Sequence, residues 1–328
     1  MIVFTIVVKY INYLSLFHCQ LYRMLPLSVR TRFIYAELVG GLGNQIFVFE
    51  MARYLSSLNN GKVLLNDYNI DRNHSKGKST IKDFQLPKNV RFTNYGFLLN
   101  KYFISLKQYL KYVNKIAQKW ILVLDDSDPS LDQNTMIELI NKRNPKLILV
   151  FGFWQNFSYW INSYAYSLCK ESKNFQLLSM DLVEQNPVIF HYRLSTENED
   201  WEKAVGILNP NFLDNAISAL NISTLKKIVN IWVFSNNIDM ARDLLKNYKG
   251  KENYSLRFID DSGLSPAEII MLFSKSQFLI CSNSTFSFVS AKIGNVPNVV
   301  VPSNLSKNSG GNISTPNKWI KVHSSWLH

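Results

Sequence analysis

Four groups of residues in this chain have the types and spacing to hold an anion. The first is the turn Gly40-Gly41-Leu42-Gly43-Asn44-Gln45-Ile46-Phe47. Its glycines permit a tight turn and let another group come close to the backbone. The second is Arg193, in His191-Tyr192-Arg193. The third is Ser235-Asn236-Asn237, and the fourth is Ser282-Asn283-Ser284-Thr285. Guanidinium, hydroxyl and carboxamide groups, combined with free backbone N–H groups at a helix head, are the usual donors to a phosphate.

Elements must place these groups. The glycine turn follows an expected strand, Phe33 to Val39, and opens an expected apolar helix, Ile46 to Leu58. From about residue 181 the alternation is regular. Strands are expected at Val188 to Arg193, Ile228 to Phe234 and Phe278 to Cys281. Helices are expected at Asn211 to Leu220, at Ile238 to Asn247 and from Phe286 to Gly294. Another begins at Ser265-Pro266-Ala267-Glu268, where Ser caps, Pro suits the first helical position and Glu closes a capping box. Strand–helix repeats of this length imply a mostly parallel sheet covered on both faces. The polar groups at Arg193, Ser235 and Ser282 to Thr285 then fall at the carboxyl edge of one sheet, where open α/β folds bind ligands. Local readings stand beside this one. Ser and Thr also cap helices for their own sake, and glycine turns join strands to helices in proteins that bind nothing there. A dinucleotide fingerprint is only partly present: Gly41 and Gly43 fit, the third position is Ile46, and Asp67 ends the next strand.

The chain has 328 residues, 47% hydrophobic and 18% charged, with a net charge of +12. That composition is globular, and the length allows one large or two ordinary domains. The excess charge favours anionic partners such as nucleotides, sugar phosphates or acidic lipid headgroups. No arginine-rich nucleic-acid motif is present. The three cysteines, Cys19, Cys169 and Cys281, are far apart, which argues against a disulfide framework and a zinc site and fits a reducing compartment. Residues 1–32 stand apart as an amino-terminal extension. Met1 to Tyr22 is apolar but is broken by Lys9, Asn12, His18 and Gln20. Two readings of it are open: a segment lying on a membrane surface, or a start codon placed ahead of the true start at Met24.

Five motifs in order carry a resemblance. They are Gly40 to Gln45, Gly152-Phe153-Trp154-Gln155, His191-Tyr192-Arg193, Phe234-Ser235-Asn236-Asn237 and Asn283-Ser284-Thr285-Phe286-Ser287-Phe288. The set resembles the α1,2-fucosyltransferases of glycosyltransferase family 11 over roughly residues 33–300. The resemblance implies a GT-B-like α/β architecture, two Rossmann-like domains facing a cleft. An acceptor-side domain is then expected at 33–180 and a GDP-sugar-binding domain at 181–328. It implies GDP-fucose as donor substrate, inversion at the sugar carbon, transfer to the 2-hydroxyl of a galactoside, and no cofactor or metal. Arg193 is the expected catalytic residue, neutralising the departing diphosphate. Gly41, Gly43, Asn44, His191, Ser235, Asn283, Ser284 and Thr285 are the other expected donor contacts, with Asn44 reaching the donor from across the cleft.

The chain departs from the family pattern in places. Leu194 stands where the family has a second arginine, and Thr196 where it has an aspartate. Asn236-Asn237 replaces a carboxylate pair, and Phe288-Val289 two tryptophans. Arg242 or a lysine is the expected substitute for the missing charge. Glu197, Glu199 and Asp200 are acidic candidates for the general base by position alone. The alternatives are a transferase of another GDP-6-deoxyhexose, a homologue that binds a nucleotide sugar without turnover, and an unrelated NAD-dependent enzyme. The expected partners are a GDP-sugar and an oligosaccharide or lipid-linked glycan such as an O-antigen precursor. The expected location is cytoplasmic, at the inner face of a membrane, with a Golgi membrane as the alternative.

Overall fold

The computed structural model describes residues 31–67, 70, 80–93, 120–161, 164–194, 205–221, 229–246, 254–306 and 313–327. The extension before residue 31 and the acidic candidates Glu197, Glu199 and Asp200 lie outside the described residues, as does Thr196.

In chain order the first elements are β1 (Phe33–Glu37), α1 (Leu42–Asn59), β2 (Lys62–Asn66), β3 (Val90–Thr93), β4 (Ile121–Asp125), α2 (Gln133–Arg143) and β5 (Leu147–Phe151). The strands form one five-stranded sheet in the order β3-β2-β1-β5-β4, parallel throughout. β5, Leu-Ile-Leu-Val-Phe, is buried along its whole length, as a strand covered on both faces must be. α2 is capped by Asp132, whose side chain accepts from Thr135 N, and ends at Asn144 in a left-handed conformation (φ 47°).

The remaining elements are α3 (Lys173–Gln185), β6 (Val188–His191), β7 (Ile207–Leu208), α4 (Asn211–Ala219), β8 (Val229–Phe234), α5 (Ile238–Lys246), β9 (Tyr254–Phe258), α6 (Pro266–Ser274), β10 (Phe278–Cys281), α7 (Thr285–Ile293), β11 (Asn298–Pro302), β12 (Ile320–Val322) and β13 (Trp326–Leu327). A second sheet, six-stranded, has the order β12-β11-β10-β6-β8-β9 and is also parallel. Its core gathers Val188, Phe190, Ile231, Val233, Ile280 and Val300 from the strands with Phe212, Leu213, Ala241 and Leu245 from α4 and α5. The capping box at α6 forms as expected, with Ser265 and Glu268 each bonding the other's backbone N–H.

The described residues fall into two compact units. One takes those up to Leu38, those of 52–73 and those of 88–152; the other takes those of 39–51, 74–87 and 153–328. The first holds the five-stranded sheet and the second the six-stranded one. Helix α1 runs continuously from 42 to 59 through that division. Two expectations change in detail. α1 starts at Leu42, before the expected Ile46, because the turn is completed by Gly40 at φ 66° and Gly43 and Asn44 are already helical. β6 ends at His191, so Tyr192 and Arg193 lie beyond the strand.

Candidate functional site

β10, β6 and β8 are neighbours in the second sheet, and Cys281, His191 and Phe234 are in register across them. The next residues therefore leave the sheet side by side at its carboxyl edge. They are tied there: Ser282 N donates to His191 O at 3.1 Å, and Tyr192 N donates to Phe234 O at 2.8 Å. Arg193 N donates to Ser282 Oγ at 3.4 Å, and Leu194 N donates to Asn236 Oδ1 at 3.0 Å. The backbone of Arg193 is thus held between the loops that follow β10 and β8. Its guanidinium is partly buried, and burial lowers its pKa from the ordinary arginine value.

His191 is 9% exposed. Its ring lies 5.6 Å from both Phe273 and Phe286, and Nδ1 is 3.5 Å from Ser282 Oγ. Burial, and then the charge of Arg193, push its pKa down to about 3. A histidine held neutral beside a positive guanidinium leaves Arg193 as the charge of this pair. The His191 ring packs against Phe273 and Phe286 and carries no charge of its own.

The heads of two helices meet in this unit. A Cβ built on Gly43 of α1 would lie 2.7 Å from Phe286 N and from Thr285 C, at the start of α7. Side chains close the junction: Thr285 Oγ1 donates to Asn44 Oδ1 at 2.9 Å, and Gln155 Nε2 donates to the same oxygen at 2.9 Å. Ser284 caps α7, its side chain accepting from Phe286 N. Neither α1 nor α7 carries an acidic residue in its first turn. α2 and α3 also carry none, whereas α4, α5 and α6 carry Asp214, Asp239 and Glu268 there. Two positive helix ends whose first turns carry no carboxylate leave a field that favours an anion.

The remaining expected site residues divide by what they touch. Gly41 has no atom within 4 Å of its built Cβ, so its surroundings are open where those of Gly43 are filled by α7. Gln45 turns back, Nε2 donating to Gly40 O, and is buried. Ser235 closes a local turn with Asn237, donating to its carbonyl and accepting from its N–H, both at 3.1 Å. Asn283 donates through Nδ2 to Gly206 O at 3.1 Å, while its buried Oδ1 has no hydrogen-bond partner. Asn283 therefore offers an incoming group an acceptor, suited to a hydroxyl and not to a phosphate oxygen. The hydroxyl proton of Thr285 goes to Asn44, so what Thr285 presents to an anion is its backbone N–H. Asn44 Oδ1 is taken up in this junction by Thr285 and Gln155, so Nδ2 is the end of the side chain that could serve the donor contact expected of Asn44. Gln155 is not among the expected site residues. Its place in the Gly152-to-Gln155 motif is the signal in the sequence that points to it.

The departures from the family pattern have structural uses. Leu194 is fully buried in the core of the second sheet. Asn236 accepts from Leu194 N, and Asn237 Oδ1 accepts from Met240 N in the first turn of α5. Phe288 is fully buried, 5.9 Å from the Trp319 ring. Arg242 sits on α5 in an exposed pair with Asp239 at 2.9 Å and over the Phe258 ring at 5.8 Å. Among the described residues no group of three or more His, Cys, Asp or Glu side chains is placed to hold a metal ion. Among them, too, no helix is long and apolar enough to cross a membrane.

No protein-family profile matches the chain, and no curated protein matches it. Solved structures do. An arginine-to-lysine mutant of FUT1 from Arabidopsis thaliana, in complex with GDP, superposes with a TM-score of 0.50 at 13% identity, over 88% of this chain and 72% of that one. The chain shares that protein's fold. It is an α/β architecture of two parallel-sheet units, as the GT-B-like expectation has it. Weaker likenesses are to the α-1,6-fucosyltransferase NodZ soaked with GDP-fucose and to POFUT1 in complex with GDP. NodZ gives a TM-score of 0.47 at 12% identity, over 86% of this chain and 98% of that one. POFUT1 gives 0.41 at 11% identity, over 90% and 99%.

Proposed function

We propose that this chain is a glycosyltransferase that takes fucose from GDP-fucose and transfers it, with inversion, to the 2-hydroxyl of a galactoside. The observation that carries the reading is the meeting of two carboxylate-free helix heads in the same unit as Arg193 and the carboxyl edge of a parallel sheet. Such a place suits a diphosphate. The fold shared with FUT1, which was solved with GDP, supports a GDP-linked donor.

The chemistry follows from charge. Breaking the glycosidic bond leaves an oxocarbenium-like sugar and new negative charge on the GDP oxygen. Arg193 neutralises that charge, its fork matched to phosphate oxygens. The backbone N–H groups at the head of α7 add donors fixed before the reaction, which favours the transition state over the ground state. Burial around Arg193 strengthens each of these contacts. The acceptor hydroxyl attacks the opposite face of the sugar carbon as the bond to GDP breaks, and its proton passes to solvent. The acceptor is a β-galactoside of a surface glycan, lipid-linked and met at the cytoplasmic face of a membrane. A net charge of +12 supports attraction to such a surface.

Binding without transfer is the second reading, and Leu194 favours it. The position where the family has its second arginine is a core position here. GDP release from GDP-fucose, with and without a β-galactoside, decides between the two. Acceptor-dependent release, abolished in Arg193→Ala, is the expected result. GDP binding by calorimetry without release favours the second reading, and no GDP binding overturns both.

A further inference from the structure

Gln155 is 111 residues from Asn44, and Asn44 is 241 from Thr285, yet all three share one oxygen. We propose that Gln155 is a positioning residue: through Asn44 it sets the orientation of Thr285 and with it the donor-facing head of α7. The inference rests on the GDP-sugar reading of the site.

Asn44 Oδ1 has two lone pairs. One takes the Thr285 hydroxyl and the other the Gln155 amide, both at 2.9 Å. Removing Gln155 leaves the Asn44 amide held from one side. It can then turn, and the Thr285 hydroxyl loses its fixed acceptor. Thr285 opens α7, so its backbone N–H moves with it.

The segment that delivers Gln155 is built to be rigid. Trp154, a bulky residue, adopts φ 50°, a conformation such residues rarely accept. Trp154 is buried against Tyr159 at 5.8 Å, and Asn156 N closes onto Trp154 O at 2.7 Å. Asn156 then caps the following turn through Ser158 N. The next ring, Phe157, lies 4.9 Å from Phe47 of α1, and Trp160 lies 5.8 Å from Phe47. The segment is therefore seated on the helix that carries Asn44. Strained backbone of this kind persists only where its surroundings over-determine it, and it gathers at functional sites.

The test is a double-mutant cycle on GDP affinity, read by calorimetry on folded protein. Gln155→Met keeps the volume and removes the donor; Thr285→Val removes the hydroxyl. Each is expected to weaken GDP by about tenfold, the worth of one hydrogen bond to an oriented group. The double variant is expected to bind no more weakly than the worse single variant, to within about twofold, because the two act through one atom. A purely structural Gln155 would shift the unfolding temperature without this coupling. Gln155→Glu serves if the methionine variant does not fold, since its carboxylate cannot donate to Oδ1, and the same loss is expected. Wild-type affinity in the Gln155 variants, or losses that multiply, overturn the inference alone. A wild-type protein that binds no GDP overturns the donor reading and this inference with it.

Discussion

Gly43→Ala tests the junction of α1 and α7 directly. The new Cβ would stand 2.7 Å from Phe286 N and Thr285 C and 2.8 Å from Thr285 Oγ1. Ordinary contact begins at 3.4 Å, so the two helix heads must part by 3.4 − 2.7 = 0.7 Å. Two of the three close atoms are backbone and cannot swing aside. A parting of that size stretches the 2.9 Å bond between Thr285 and Asn44 to roughly 3.6 Å, beyond hydrogen-bonding range. Overpacking costs about 1–3 kcal/mol, and alanine's better helix propensity offsets up to about 1 kcal/mol. The net loss is up to about 3 kcal/mol and about 1–2 kcal/mol at the middle of that range, or a fall in unfolding temperature of roughly 2–8 °C. GDP affinity should fall about tenfold as the junction opens. Gly41→Ala is the control, two residues away. Its Cβ meets nothing within 4 Å, so stability should stay within about 0.5 kcal/mol of wild type. Thermal unfolding and GDP calorimetry on both variants decide the matter. If Gly43→Ala unfolds and binds GDP like wild type, the junction is not where the reasoning puts it.

Other outcomes follow from the same geometry. His191 is held neutral with a pKa of about 3, against 6.5 unfolded, so the unfolded chain binds the extra proton between those values. Stability should therefore drop as pH falls through that window, by about 2 kcal/mol between pH 7 and 5, and His191→Phe should flatten this part of a denaturant-unfolding series. Arg193→Lys keeps the charge but loses the fork, and should lower turnover of GDP-fucose by about a hundredfold while Arg193→Ala lowers it further, measured as GDP release. Glu268 accepts from Ser265 N at 2.7 Å and from Ser172 N at 2.5 Å, tying the heads of α6 and α3. Burial works against its charge, but these bonds outweigh it and hold the pKa below the usual range. Glu268→Gln should lose about 1–3 kcal/mol by chemical denaturation with little change in GDP affinity.

The central strands were legible because they are unbroken apolar runs. β6, β8 and β10 are nearly all buried, and each was expected within two residues of its observed bounds. Strands at the sheet edges were harder. β9 alternates half-buried and exposed residues, and β3 contains an exposed Arg91 in a polar stretch. These two edge strands offer no apolar run to read, unlike the edge strand β4 with its Ile121 to Leu124. The α6 start was legible because a capping box is local chemistry. The same locality explains what stayed hidden in the site. Arg193, Ser235 and Ser282 follow strands, so topology alone places them together. The bond from Gln155 to Asn44 depends on the seating of one irregular segment, which no periodicity encodes. The two glycines read alike in sequence, and only their neighbours separate an open Gly41 from a packed Gly43.

The interleaving of the two compact units bears on how the protein can be dissected. The unit that holds the six-stranded sheet borrows residues 39–51 from early in the chain. A gene cut at residue 152 would therefore yield a carboxyl-terminal fragment with every strand of that sheet but without Asn44 and Gly43. The fragment would present the head of α7 bare, its Thr285 hydroxyl released from its acceptor. Restoring the site would require supplying residues 39–51 in trans or splicing them ahead of Phe153. Circular permutants and fragment-complementation pairs of this chain succeed or fail on that short loan of sequence.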